Sequence, residues 1–238
     1  MSTSSGKKAR KQQVNRTQNP IEYGFKDVKP LNYIQGEYLD AIKSNDIVFG
    51  IGSAGTGKTF VAASYAASEL FHRRIEKIIL TRPNIETGRG LGYLPGELEE
   101  KYAPYLDPFD NVFQRTLGKG FYEYALKHED IQPKPLGFMR GATFDNCIVL
   151  VDEIQNMTKS EFKMLLSRIG KNCKVILSGD PEQTDIKDSG IKDAIARLEN
   201  LDGIAIVRFL DQDIVRSKMC KQIILAYKDE YGKNLQTN

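Results

Sequence analysis

Tryptophan is absent from this 238-residue chain, histidine occurs twice and cysteine three times. The cysteines, Cys147, Cys173 and Cys220, stand far apart and form no C-x-x-C pair, so no disulfide framework or zinc site is supported. Two histidines, His72 and His128, are too few for a histidine-rich metal site. No apolar run approaches the roughly 18 residues that a membrane span needs, and no signal-peptide pattern opens the chain. These absences point to a cytoplasmic protein with no membrane partner. Acidic residues are missing from residues 1–20, which hold Lys7, Lys8, Arg10, Lys11 and Arg16. The whole chain carries +3, so the remainder stands at −2. Ser, Thr, Gln and Asn replace core formers in this stretch, and residues 1–27 read as a basic, disordered tail. Such an arm can hold a nucleic-acid backbone by counterion release, or it can simply keep the chain in solution. Residues 28–238 are left to fold.

What the sequence does contain is a phosphate-binding loop. Gly52-Ser53-Ala54-Gly55-Thr56-Gly57-Lys58-Thr59 fits G-x-x-x-x-G-K-[ST]. Its three glycines let the backbone curl until successive N–H groups face phosphate oxygens. The following helix adds unsatisfied N–H groups and its positive dipole end. Lys58 is placed to reach the β- and γ-phosphates, and the Thr59 hydroxyl to bind Mg²⁺. The context agrees, with the buried strand Asp46–Ile51 before the loop and a helix over Phe60–His72 after it.

Further strands are expected at Lys77–Leu80, Asn146–Val151, Lys174–Leu177 and Ile204–Phe209. Helices are expected over Gln35–Lys43, from the capping box Thr158/Glu161 to Ile169, over Lys192–Leu201 and over Ile214–Tyr231. Residues 84–140 are less regular, with a glycine-rich loop and, over Leu98–Leu117, helical stretches interrupted at Pro104 and Pro108. Alternating strands and helices predict an α/β fold, a mainly parallel sheet between two helical layers.

Cys147–Val151 is apolar and runs into Asp152-Glu153. An acidic residue at such a strand end holds Mg²⁺ in phosphate-loop enzymes, the role that suits Asp152. A second carboxylate, Glu153, can orient the attacking water or take its proton. Ser178-Gly179-Asp180-Pro181-Glu182-Gln183 closes the next strand and should open on the same sheet edge, where Gln183 could touch the γ-phosphate or that water.

With these blocks the chain resembles the PhoH family of phosphate-loop ATPases, relatives of superfamily-one helicase motor domains with a RecA-like, three-layer fold. The resemblance is carried by Gly52–Thr59, Thr81-Arg82-Pro83, Leu91-Gly92-Tyr93-Leu94-Pro95-Gly96-Glu97-Leu98-Glu99-Glu100-Lys101 and Arg140-Gly141-x-Thr143-Phe144. Asp152-Glu153-x-Gln155-Asn156, Gly179-Asp180-x-x-Gln183 and Asp213-Ile214-Val215-Arg216 complete it. Ser53 departs from it, since the family usually has proline there, a change that leaves nucleotide binding intact. The resemblance implies that Gln35, with both amide faces available, reads adenine and so favours ATP over GTP. It also implies that Arg216 stabilises charge on the transferred phosphoryl group, from its own chain or a neighbouring subunit, with Arg208 as a competitor. One motor lobe instead of two implies a ring-like homo-oligomer, a hexamer by analogy. Arg82, Arg89 and Arg140 are then candidates for a single-stranded nucleic-acid path, RNA favoured over DNA, or for subunit contacts.

The resulting expectation is an Mg²⁺-dependent ATPase coupled to single-stranded nucleic acid. The alternative is a nucleotide-gated interaction protein with little turnover. A small-molecule kinase fits less well, because of the Asp152-Glu153 pair and Gln183.

Overall fold

Valine, isoleucine and leucine fill both faces of the central strands, which commits the sheet to burial between two layers. In the computed structural model, which describes residues 25–27, 29–83 and 98–233 (backbone alone over 98–106 and 227–233), six strands pair in parallel. They are β1 (Ile47–Gly52), β2 (Lys77–Thr81), β3 (Ile131–Pro133), β4 (Cys147–Val151), β5 (Cys173–Gly179) and β6 (Ile204–Phe209). Their order across the sheet is β3-β2-β4-β5-β1-β6.

Alternation along each strand divides the core in two. Val48, Ile78, Leu80, Ile148, Leu150 and Ile176 face one layer; Phe49, Ile51, Ile79, Val149, Val151, Val175 and Leu177 face the other. The first layer is built by α1 (Tyr33–Ser44), α2 (Lys58–Phe71), α3 (Leu98–Leu117) and α4 (Lys119–Lys127). In α2, Ala62, Ala63, Ala66 and Ala67 are buried, so the helix that follows the phosphate loop lies close against the sheet. The second layer comprises α5 (Lys159–Leu166) and α6 (Ile191–Leu198), together with the short turn Leu136–Met139 that precedes them in the chain. A last helix, α7 (Lys218–Lys233), closes the described chain. The three-layer α/β architecture with a parallel sheet is as the sequence predicts. No helix among the described residues is long and apolar enough to cross a membrane.

Four elements differ from the sequence reading. Helix α4 has no counterpart in it. Strand β3 is new: its three residues are too short to show a periodicity, and it exists because Ile131 to Pro133 pair with Ile78 to Leu80. Helix α3 runs unbroken for 20 residues through Pro104 and Pro108. Each internal proline costs about 3 kcal/mol of helix propensity, and burial of Phe109, Val112, Phe113 and Leu117 offsets it. The last helix begins at Lys218 instead of Ile214, because residues 214–216 are held along the phosphate loop. The box Thr158/Glu161 does cap α5, which ends at Leu166. The tail over 1–24 and the glycine-rich stretch 84–97 lie outside the described residues.

Candidate active site

Every strand of a parallel sheet ends on the same edge, and here that edge collects the chemistry. Beyond β1 the chain turns through the loop into α2, whose first residue is Lys58. Gly55 and Gly57 take φ of +81° and +88°, a region open to glycine at little cost. A side chain at Gly57 would stand 2.5 Å from Gln35 Nε2, so neighbouring atoms as well as backbone angle require glycine there. Lys58 Nζ donates to the carbonyls of Gly52 (2.6 Å) and Ser53 (2.8 Å) and approaches Thr56 Oγ1 at 3.3 Å. Burial lowers the pKa of this ammonium, and the carboxylates of Asp180, Asp152 and Glu153 work against that shift.

At the end of β4, Thr59 Oγ1 donates to Asp152 Oδ1 at 3.3 Å. Burial, reinforced by the neighbouring Glu153, pushes the Asp152 carboxyl up to about 6, while Arg82 pulls it down. Glu153 follows with φ +57°, an uncommon conformation for a residue with a side chain. Gln155 Nε2 donates to its Oε2 at 2.5 Å, and Arg82 Nη2 stands 3.8 Å from its Oε1. At the end of β5, Asp180 accepts from the backbone of Glu182 (3.1 Å) and from Gln183 Nε2 (2.7 Å).

These groups line one cleft of about 420 Å³, bounded by Gly55, Lys58, Thr59, Asp152, Glu153, Asp180, Gln183 and Arg216. Ala54 and Gly57 also line it, whereas Ser53 and Thr56 do not. Ser53 Oγ instead bonds Asp211, and Val215 N–H donates to the Gly55 carbonyl at 3.0 Å. Residues 211–216 thus form a strap along the outside of the loop. Arg216 reaches the cleft of its own chain by this route, while Arg208 lines a neighbouring hollow between the ends of β1 and β6 and Asp180–Glu182.

Not every expected residue arrives as expected. Gln35 lies inside the first turn of α1, fully buried, and both ends of its amide are engaged. Its Nε2 donates to the Thr56 carbonyl (2.9 Å) and its Oε1 accepts from Leu31 N–H (2.9 Å). Each amide face expected to stand open for adenine thus already holds one backbone partner, and the side chain has no exposed surface. Arg82 is brought against Glu153, while Arg140 stands exposed beyond the turn Leu136–Met139 and does not line the cleft. Arg89 lies outside the described residues.

Two positioning residues emerge that the sequence did not assign. Gln155 is 1 % exposed; beyond holding Glu153, its Oε1 accepts from Asp180 N–H at 3.1 Å. Asn156 exchanges two hydrogen bonds with Asp185, at 2.8 and 3.1 Å. Both tie the end of β4 to the segment after β5. Their position after Asp152-Glu153 was visible in the sequence, but their partners were not.

The chain matches the family described as PhoH-like protein over residues 27–228. It belongs to that family. It is 41 % identical over 210 residues to Protein PhoH of Escherichia coli (strain K12), covering 85 % of this chain and 59 % of that protein. It is 43 % identical over 197 residues to a PhoH-like protein of Bacillus subtilis (strain 168), covering 81 % and 61 %. The chain therefore spans about three fifths of the length of these family members. Among solved structures it is similar to the large terminase of a thermophilic bacteriophage, with a TM-score of 0.50 and 13 % identity over 82 % of this chain and 50 % of that one. That likeness is one of fold.

Proposed function

We propose that this chain binds ATP with Mg²⁺ in the cleft and hydrolyses it, coupling turnover to single-stranded nucleic acid, RNA favoured, as a homo-oligomeric ring. The observation that carries the reading is the convergence of Lys58, Thr59, Asp152, Glu153, Gln183 and Arg216 on one cleft. The loop's N–H groups and the start of α2 receive the phosphates. Lys58 exchanges its loop carbonyls for β- and γ-phosphate oxygens. Thr59 and Asp152 present two hard oxygen donors side by side, a set that suits Mg²⁺. The ion, when bound, would offset the charge of the triphosphate. Glu153, held by Gln155, orients water towards the γ-phosphate and accepts its proton. Gln183 contacts the same end, and Arg216 stabilises the transferred group from within its own chain.

Phosphate release by the purified protein tests this reading, with Lys58→Ala and Glu153→Gln as controls. Turnover should fall by about two orders of magnitude or more in each. Unchanged turnover in both variants would refute the site. Tight ATP binding with no turnover that RNA can stimulate would instead support a nucleotide-gated interaction protein.

A further inference from the structure

Strand β4 lies between β2 and β5, and the side chain just past its end is held from both flanks. On the β5 flank, Gln155 grips Glu153 Oε2 while anchored by the backbone of Asp180. On the β2 flank, Arg82 follows the last strand residue, Thr81, and faces Glu153 Oε1 across 3.8 Å. Asp152 N–H donates to the Thr81 carbonyl at 3.1 Å, so the two strand ends move together.

The two holds are unequal. Gln155 is buried, and the other end of its amide is fixed by the backbone of Asp180. Arg82 keeps 31 % of its side chain in solvent and makes an ion pair without a hydrogen bond, the kind that is weak and easily screened. Its planar fork of N–H donors matches a phosphate at least as well as a carboxylate. While it faces Glu153, however, one oxygen of the carboxylate that must orient water is engaged.

We propose that Arg82 is a positioning residue through which a nucleic-acid backbone regulates hydrolysis. Paired with Glu153, it holds that carboxylate back. A backbone phosphate that captures the guanidinium frees Oε1, leaving Glu153 oriented by Gln155 alone. This inference rests on the ATPase reading of the cleft.

The test is steady-state ATP turnover of the wild type, Arg82→Ala and Arg82→Lys at low salt, with and without poly(U), recording kcat and KM. In Arg82→Ala, basal kcat should rise roughly two- to fivefold, the scale of a half-exposed ion pair. KM should not move, and poly(U) should no longer stimulate. Arg82→Lys should keep a low basal rate and part of the stimulation, a rescue that a merely structural arginine would not give. A lower basal kcat in Arg82→Ala would overturn the proposal, as would stimulation equal to wild type or a wild type that ignores poly(U). Wild-type turnover no higher than that of Lys58→Ala is the separate result that removes the ATPase reading itself.

Discussion

Val215 donates its backbone N–H to the Gly55 carbonyl at 3.0 Å, joining the chain after β6 to the tip of the phosphate loop. Arg216 follows directly, and a Cβ on Gly55 would meet its Cδ at 3.0 Å. The loop and the arginine are thus one mechanical unit, and a change in either displaces the other.

Gly55→Ala tests that unit. Its φ of +81° strains any side chain, and the added methyl pushes on Arg216. We expect a stability loss of about 1–2 kcal/mol by thermal melting. ATP turnover should fall by about tenfold or more through the displaced Arg216. Full activity in a normally folded Gly55→Ala protein would show that the loop and the arginine are independent.

Asp152 makes a pH-dependent prediction. Its folded pKa, about 6, lies above the ordinary aspartate value of 3.8. The folded state therefore binds the extra proton between those values, and stability is lost as pH rises through about 6. Asp152→Asn removes the buried charge and should stabilise the nucleotide-free protein by about 1–3 kcal/mol at pH 8. Melting curves should show that gain shrink below pH 5. Equal melting temperatures at pH 8 would contradict the burial argument.

Gln35→Ala should act on the loop as a whole. It leaves the Thr56 carbonyl and Leu31 N–H without the partners they have here, a cost of about 1–3 kcal/mol. Affinities for ATP and GTP should drop together in titrations. A drop for ATP alone would restore the role of a base reader.

Phe113→Ala tests why α3 tolerates its prolines. Phe113 is fully buried and stacks near Phe109 and Tyr122. The substitution should cost about 3–5 kcal/mol in denaturant unfolding. A cost near zero would mean that another contact holds the helix.

Much of the site was legible because its signals are local. Gly52–Thr59 sits between an apolar strand and a helix, and Asp152-Glu153 ends a strand with no polar residue, so type and position agreed. Features that depend on a distant partner were not legible. The last helix was expected to begin at Ile214, yet Val215 bonds a loop far earlier in the chain. Gln35 read as open because sequence does not reveal that Thr56 and Leu31 take its amide. Gln155 and Asn156 could be quoted as part of a motif, but only the fold brings Asp180 and Asp185 to them.

Strand order also has a consequence for synthesis. The strand that launches the phosphate loop, Ile47–Gly52, is flanked by Cys173–Gly179 and Ile204–Phe209, both made more than 100 residues after it. Such distant pairings close late. A truncated chain ending before Cys173 would carry the complete glycine-lysine-threonine motif with no neighbour for its strand. The cleft can therefore take shape only after these two later strands have been made, and the segment that carries Arg216 follows the second of them.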